Sequence, residues 1–357
     1  MQQALVDGVF PGAVLLISIN GEIQFFRSYG VRNIFNQKSV TTQTVFDLAS
    51  LTKPLATTLA VLVLVSRRLL KLDFTLGHLL NEYKGTDKAN ISLRQLLNHT
   101  SGLPDYRPYY IDISKVADEK RSEAIRLAVL QTPLAYASGQ KEVYSDLGFM
   151  ILGWIIESVS GKRLDQFVAD DVYAPLGIIA DGRSGPCFVE IAKPVHFTNV
   201  AATEICPWRQ RLVEGTVHDD NAHVMGGIAG HAGLFGSAGA VHDIILALRS
   251  FHTDCHESGV FAADLVKTFL RRGPRGNRPL GFDAPSPVGS SSGRFFSPAT
   301  VGHLGFTGTS FWFDLDRSII VILLSNRVHP HRENDRIKNF RPKIHDAVMA
   351  SLLTDAT

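Results

Sequence analysis

The sequence contains a serine and a lysine three residues apart, in Ser50-Leu51-Thr52-Lys53, at the start of an apolar segment. At this spacing two side chains lie on the same face of a helix, one turn apart. A buried lysine loses its charge readily, and a neutral amine can take the proton of a serine hydroxyl. The pattern therefore predicts that Ser50 is a nucleophile and that Lys53 activates it without a histidine.

The same spacing occurs again in Ser138-Gly139-Gln140-Lys141, and about one such pair is expected by chance in a chain of this length. The context separates the two copies. Pro54 is tolerated in a first helical turn, and residues 55–70 are apolar on nearly all sides, which predicts a buried central helix that begins near Ser50. Ser138-Gly139 indicates a turn instead. We therefore predict Ser50 as the nucleophile; the alternative is a serine that caps a helix beside a surface lysine.

Two further stretches are candidates for the proton carrier and the oxyanion hole that such a serine needs. Tyr144-Ser145-Asp146 comes directly before a predicted helix, and a tyrosine oxygen close to Lys53 would relay the proton of the serine to the leaving group. His303-Leu304-Gly305-Phe306 lies in a β-rich segment, where glycine often marks the close approach of a ligand to the backbone. Taken alone, a tyrosine before a helix is more often a packing residue, and the second stretch is more often a glycine-rich turn.

The strand patterns lie at both ends of the chain. Residues 13–19 and 23–29 flank Asn20-Gly21, which is the strongest short signal for a hairpin. Residues 306–314 and 319–324 indicate a second hairpin near the other end. A single antiparallel sheet with strands from both ends explains this distribution best.

Helical patterns and loops fill the middle of the chain, and no internal repeat is visible. We therefore predict an α/β (α+β) fold in two parts. The first part is the antiparallel sheet, flanked by helices and built from residues 1–75 and 232–357. The second part is a mainly helical domain inserted at residues 76–231.

The composition is that of an ordinary globular protein, with 45% hydrophobic and 20% charged residues and a net charge of +2. No strong field would draw nucleic acid or an acidic membrane, and we predict neither as a partner. The longest apolar run, residues 55–65, is too short to span a membrane. One basic run is predicted to be a solvated loop; it consists of Arg271, Arg272, Arg275 and Arg278.

The three cysteines, Cys187, Cys206 and Cys255, match no metal template, and their odd number argues against a disulfide framework. We predict reduced thiols in a cytoplasmic protein. The first residues have neither the basic start nor the long apolar centre of a signal peptide. They begin in what reads as the middle of a helix, so upstream residues could be missing.

The three motifs, taken together and in this order, resemble those of the serine β-lactamase and penicillin-binding-protein superfamily, in its class C and esterase-like branch. They are Ser50-Leu51-Thr52-Lys53, Tyr144-Ser145-Asp146 and His303-Leu304-Gly305. Three framing stretches are also similar to those of the superfamily: Pro11-Gly12-Ala13-Val14, His99-Thr100-Ser101-Gly102-Leu103-Pro104 and Ala229-Gly230-His231-Ala232-Gly233-Leu234-Phe235. The resemblance extends from about residue 9 to residue 327.

The resemblance implies the same two-part fold and a role for each motif. Ser50 attacks a small acyl substrate and forms an acyl-enzyme, which water helped by Tyr144 then releases. Lys53 and Tyr144 move protons, and the backbone N–H groups of Ser50 and Phe306 form the oxyanion hole. The remaining motif residues, Asp146, His303 and Gly305, contact the substrate. The resemblance implies no cofactor.

A metal site is the alternative suggested by the thirteen histidines. The densest group is His218-Asp219-Asp220-Asn221-Ala222-His223 together with His231, and imidazole and carboxylate would suit zinc. The spacing fits no helical pair of ligands, and the resemblance implies no metal. We therefore predict a hydrogen-bonded loop that packs near the active site, and no metal.

Two residues depart from the β-lactamase pattern. Asp146 stands where class C enzymes have asparagine, so it cannot donate as an amide does, although it would hold a charged Lys53 well. His303 replaces a lysine, and a histidine is mostly neutral at pH 7, so binding of the β-lactam carboxylate is expected to be weak and to weaken as pH rises.

These departures favour an esterase-like serine hydrolase that acts on a small ester or amide. The alternatives are a D-amino-acid peptidase or carboxypeptidase, a weak β-lactamase, and a non-catalytic homologue that binds a ligand. The intact Ser50, Lys53 and Tyr144 argue against a non-catalytic protein. The natural substrate and the oligomeric state stay open.

Overall fold

The computed structural model describes residues 1–180, 185–254, 259–273 and 278–354 of the 357-residue chain. Cys255 and Arg275, named above, lie outside the described residues.

The main sheet has six antiparallel strands in the order β3-β2-β1-β11-β10-β9, so strands from both chain ends meet at the β1–β11 pair. The strands are β1 Gly12–Ile19, β2 Glu22–Asn33, β3 Lys38–Ser39, β4 Phe46–Asp47, β5 Cys187–Phe188, β6 Ile205–Cys206, β7 Arg211–Leu212, β8 Leu234–Gly236, β9 Val301–Leu304, β10 Ser310–Asp314 and β11 Ile319–Ser325. Strands β4, β8 and β5 form a small second sheet, and β6 pairs with β7. The predicted α+β fold with an antiparallel sheet is confirmed.

Helices occupy the middle of the chain and both faces of the sheet. They are α1 Gln2–Val6, α2 Thr58–Ser66, α3 Leu76–Leu79, α4 Leu93–Leu97, α5 Tyr110–Ile113, α6 Asp118–Gln131, α7 Asp146–Ser160, α8 Leu164–Phe167, α9 Asp220–Val224, α10 Ala238–His252, α11 Ala263–Leu270 and α12 Ile337–Thr354. Single 3₁₀ or π turns lie at Ala49–Leu51, Lys53–Thr57, Asn81–Tyr83, Val168–Tyr173 and Ala174–Leu176. The residue limits of the two predicted parts stay a prediction.

The side chains of β1 alternate between two hydrophobic clusters, as the two-residue period of a strand requires. Val14 and Leu16 join the large cluster formed with the central helices, and Leu15 and Ile17 join a smaller one that includes Met349 of α12. Both faces of the sheet are therefore buried at β1. Each fully buried aliphatic side chain of this kind contributes roughly 1.5–3 kcal/mol to folding.

The predicted hairpins are present, with one correction. Asn20 and Gly21 have φ of +54° and +92°, the left-handed conformations that a tight two-residue turn needs. The strand predicted at residues 306–314 begins only at Ser310, because residues 305–309 form a tight turn in which Gly308 has a φ of +112°. His303 instead lies on the separate strand β9.

The central apolar segment starts as a 3₁₀ turn at Ala49–Leu51 and continues as a π turn at Lys53–Thr57 before α2 begins. The sequence predicts a buried central helix that begins near Ser50 and continues to about residue 70; the observed segment is buried and begins there, but it changes from 3₁₀ to π to α and ends at Ser66. Pro54 lies in the first turn of the π segment, where its missing N–H is tolerated. The hydroxyl of Tyr173 donates to the carbonyl of Leu55 over 2.9 Å.

By length and composition, Ala49–Ser66 passes the test for a membrane-crossing helix, with a mean hydropathy of 1.5. However, 89% of this segment is buried inside the protein, and core helices of globular proteins pass the same test. Its position between α7, α11 and the strand layer makes it the central core helix of this fold.

Candidate active site

The ammonium group of Lys53 lies at the centre of the site and has three partners. Its Nζ donates to Ser50 Oγ over 2.9 Å and to the carbonyl of His231 over 3.0 Å, and it lies 2.7 Å from Asp146 Oδ1. The side chain of Lys53 is fully buried, whereas that of Asp146 is 16% exposed. These three contacts surround the ammonium group, and the one with Asp146 is an ion pair.

These contacts keep Lys53 charged. Burial by itself lowers the pKa of Lys53, but the charge of Asp146, together with Tyr144, outweighs burial and raises the pKa above its ordinary value. The expectation that burial would make Lys53 a neutral amine is therefore wrong for the free enzyme. Asp146, which lies 93 positions further along the chain, causes the difference, as a carboxylate in ion-pair contact favours the charged form.

Asp146 is held by the start of α7. Its N–H donates to the carbonyl of Asp105 over 2.9 Å. The preceding Ser145 caps the helix, and its hydroxyl donates to the carbonyl of Pro104 over 2.6 Å. The N–H of Ser145 donates to Nδ1 of the buried His99 over 3.0 Å. The stretch from His99 to Pro104, noted in the sequence as a framing motif, therefore fixes where Asp146 stands.

Tyr144 packs over Lys53, with Nζ 4.9 Å from the centre of its ring. Its ring lies between the rings of His99 and His303, with centroid distances of 4.6 and 5.8 Å. Burial raises the pKa of Tyr144 above its ordinary value, although the Lys53 ammonium opposes this shift. Tyr144 is therefore a phenol at neutral pH, and it is available to donate a proton.

His303 is buried on β9, where its Nδ1 lies 2.9 Å from the carbonyl of Leu304 and donates to it. Burial, followed by the nearby charge of Lys53, holds the pKa of His303 well below its ordinary value. The imidazole is therefore neutral. It offers a hydrogen-bonding group to a substrate but no positive charge.

The turn after His303 packs directly on the turn that carries the nucleophile. The hydroxyl of Thr307 donates to the carbonyl of Asp47 over 2.7 Å, and that of Thr309 donates to the carbonyl of Leu48 over 3.0 Å. A Cβ on Gly305 would lie 2.0 Å from Thr309 Oγ1 and 2.7 Å from the carbonyl oxygen of Leu48. Only glycine fits at this contact.

The backbone N–H groups of Ser50 and Phe306 are the predicted oxyanion donors. Neither has a protein acceptor within the ranges that the structure describes. Both residues line the same cavity. An acyl oxygen in that cavity would give these two N–H groups the acceptor they otherwise lack.

The cavity at Ser50 has a volume of about 390 Å³. Its lining residues are Ala49, Ser50, Asp105, Tyr106, Tyr144, Asp146, His218, Asp219, Asp220, Ala232, Phe306 and Arg332. The loop that begins at His218 forms one wall of the cavity, as the predicted loop near the active site would. Among the described residues, no group of three or more His, Cys, Asp or Glu side chains is arranged to hold a metal ion.

The charges of this wall are largely paired. Asp219 Oδ1 lies 3.0 Å from His231 Nε2, and Asp220 contacts both Arg209 and Arg332. Arg332 also pairs with Glu204, which is almost fully buried. The sequence does not predict the place of Arg332 in this wall, because nothing in its local pattern distinguishes it from a surface arginine.

The second serine–lysine pair does not line the cavity at Ser50. Ser138 and Lys141 are both exposed, Gly139 between them has a φ of +81°, and the Lys141 ammonium lies over the ring of Tyr136 at 5.9 Å. The predicted turn is present.

Comparisons with known proteins identify the family of the chain. A family model described as "Beta-lactamase" matches residues 1–341. A protein of Escherichia coli O157:H7 named "Putative D-alanyl-D-alanine carboxypeptidase" is 29% identical over 359 aligned positions, which cover 91% of this chain and 80% of that protein.

Two solved structures show the same fold. The hydrolase EstCE1, described as having promiscuous acyltransferase activity, has a TM-score of 0.72 and 21% identity, with 95% of each chain covered. The octameric penicillin-binding protein homologue from Pyrococcus abyssi has a TM-score of 0.69 and 20% identity, with 91% of this chain and 71% of that chain covered. The chain belongs to the beta-lactamase family and is a serine hydrolase.

Proposed function

We propose that this enzyme hydrolyses a small ester or amide through an acyl-enzyme on Ser50, in the manner of an esterase. The observation that carries the proposal is the chain of contacts from Ser50 Oγ through Lys53 Nζ to Asp146 Oδ1, at 2.9 and 2.7 Å. Ser50, the nucleophile, lies in a cavity, and this chain connects it to the carboxylate of Asp146. That carboxylate can accept the serine proton by way of the Lys53 ammonium.

Acylation uses this chain in one direction. As Ser50 Oγ bonds to the acyl carbon, its proton passes to Lys53 Nζ, while a proton of Nζ passes to Asp146 Oδ1. The N–H groups of Ser50 and Phe306 stabilise the oxyanion that develops on the acyl oxygen. Tyr144 then gives its phenolic proton to the leaving group as the bond between the leaving group and the acyl carbon breaks.

Deacylation returns the protons. The Tyr144 phenolate takes a proton from a water molecule as the water oxygen bonds to the acyl carbon. The proton held on Asp146 passes back through Lys53 to Ser50 Oγ, which leaves as a hydroxyl. Each group ends in its starting state, and Lys53 carries its charge before and after every step.

The charges around the cavity favour a substrate without a carboxylate. Four aspartates line it, against one arginine. That arginine, Arg332, is already paired with Glu204 and Asp220, and the Lys53 charge is matched by Asp146. His303 is neutral. An anionic substrate would therefore meet no unpaired cation among the lining residues and would be repelled by the carboxylates.

The second candidate is a D-alanyl-D-alanine carboxypeptidase. It is favoured by the similarity to the Escherichia coli protein of that name, of which this chain covers 80%. Its substrate ends in a carboxylate, which the charges of this cavity oppose. A β-lactamase meets the same difficulty, and the neutral His303 adds no charge to bind its substrate.

Labelling with a fluorophosphonate, followed by peptide mapping, tests the nucleophile. We expect an adduct on Ser50, no activity in Ser50→Ala, and full activity in the matched control Ser138→Ala. Loss of activity in the folded control would show that Ser138, rather than Ser50 alone, is needed for the reaction. A protein that no acylating reagent labels would be a ligand-binding homologue rather than an enzyme.

A substrate panel tests the specificity. We expect kcat/KM to be higher for p-nitrophenyl esters of neutral acids than for nitrocefin or a D-Ala-D-Ala peptide. A higher kcat/KM for the D-Ala-D-Ala peptide would establish the second candidate in place of the first.

A further inference from the structure

Arg341 of α12 is a buried cation that the chemistry described above does not use. Its side chain is 6% exposed. No carboxylate pairs with it in the part of the chain that the structure describes, and its Nε atom has no hydrogen-bond partner there. Burial, with a smaller effect of Arg327, lowers the pKa of Arg341 to about 9. Arg341 is therefore charged at pH 7, at a cost to stability.

The partners of Arg341 are two carbonyl groups in one turn. Its NH2 group donates to the carbonyl of Gly305 over 3.1 Å and to that of Thr309 over 2.7 Å. The N–H of Gly305 donates to the same carbonyl of Thr309 over 2.7 Å. Arg341 thus closes the turn between β9 and β10 from the side of the sheet that α12 covers.

The carbonyl of Gly305 and the N–H of Phe306 belong to one peptide group. That N–H is the proposed oxyanion donor, it has no protein acceptor among the described residues, and Phe306 lines the cavity at Ser50. A cation bonded to the oxygen of a peptide draws electron density towards itself and makes the N–H of the same peptide a stronger donor. A charged donor does this more strongly than a neutral one.

We propose that Arg341 is a positioning residue of the oxyanion hole, which orients and polarises the Gly305–Phe306 peptide for the acyl oxygen. This inference rests on the proposed acyl transfer at Ser50. It explains why the fold keeps an uncompensated charge in its interior, where an apolar residue of similar size would be more stable.

The test is the variant Arg341→Gln, which keeps a hydrogen-bond donor but removes the charge. We expect kcat for a p-nitrophenyl ester to fall by about tenfold, less than the ~10²–10³ that removal of a whole oxyanion donor costs. KM should not change. Affinity for a boronic acid, which binds Ser50 as a tetrahedral anion, should fall by the same factor as kcat.

The melting temperature separates this role from a structural one. Because the variant removes a buried unpaired charge, it should melt at the wild-type temperature or above. Arg336→Gln is the control, since Arg336 is exposed just before α12 and donates to the carbonyl of Asp7; it should keep wild-type kcat. Wild-type kcat in Arg341→Gln would overturn the inference, and so would a loss of folding. If the wild-type enzyme hydrolyses no ester or amide, the proposed function fails instead.

Discussion

Replacing Asp146 by asparagine should make the stability of the protein depend on pH in a way that the wild type does not. The change removes the carboxylate 2.7 Å from the Lys53 ammonium and leaves an amide of nearly the same shape. Lys53 then stays fully buried without its counter-ion, and burial alone lowers its pKa. The charge of Lys53 then destabilises the folded state.

The sign of the effect follows from the pKa of Lys53 in each protein. In the wild type this pKa is raised, so the stabilisation is fully present below the unfolded-state value of 10.5 and is lost only as pH rises through the folded-state value. In Asp146→Asn the folded-state pKa is lowered, so the variant is least stable at acid pH and recovers as pH rises towards 10.5. Between pH 6 and pH 9, the contribution of Lys53 to the free energy of unfolding of the wild type does not change with pH.

The magnitude comes from the burial of the pair. Breaking a buried ion pair by removing one partner costs about 3–5 kcal/mol. We expect a deficit of that size in the free energy of unfolding at pH 6. The deficit should shrink towards pH 9 by up to ~1.4 kcal/mol per pH unit, which is the value for one proton released on folding.

Urea unfolding at pH 6, 7, 8 and 9 measures this deficit. Asp105→Asn is the matched control, because Asp105 is an exposed carboxylate in the wall of the same cavity; it should stay within about 0.5 kcal/mol of wild type throughout. The double variant Lys53→Met/Asp146→Asn should lose the pH dependence. A deficit that is constant from pH 6 to pH 9 would refute the charged Lys53, and with it the proton chain through Asp146.

Two further changes test the catalytic geometry. Tyr144→Phe should lower kcat by ~10²–10⁴ in a p-nitrophenyl ester assay, because no phenol remains to protonate the leaving group; a wild-type kcat would exclude Tyr144 as the proton carrier. Gly305→Ala should lower kcat by ~10²–10³ at an unchanged fold by circular dichroism, because its Cβ would lie 2.0 Å from Thr309 Oγ1 and would displace the Phe306 N–H; a kcat within twofold of wild type would show that this N–H is not needed.

The features that the sequence predicted correctly depend on neighbours in the chain. Ser50 and Lys53 meet because residues three apart share a helical face, whether the turn is 3₁₀, α or π. The first hairpin follows from the chemistry of Asn20-Gly21. The exposure of Ser138 follows from the turn at Gly139. Each of these is fixed within a few residues.

The features that sequence reasoning missed depend on contacts between distant parts of the chain. Asp146 keeps Lys53 charged. Arg332, which is paired with its two carboxylate partners, forms part of the cavity wall. Arg341 reaches the turn at Gly305 only because α12 packs on the sheet. A charged residue on a helix is most often solvated, so no local pattern could identify either arginine as part of the site.

The paired charges also explain how the site can keep β-lactamase-type proton transfer without the matching specificity. Proton transfer needs Ser50, Lys53 and Tyr144 close together. Lys53 Nζ lies 2.9 Å from Ser50 Oγ and 4.9 Å from the centre of the Tyr144 ring. Recognition of a carboxylate needs a cation that faces the cavity and has no partner. Here the Lys53 charge is taken up by Asp146, and the position of the usual lysine is held by the neutral His303. Because the two tasks use different charges, the second can be lost while the first is kept, and this is the reason that we propose a neutral ester as the substrate.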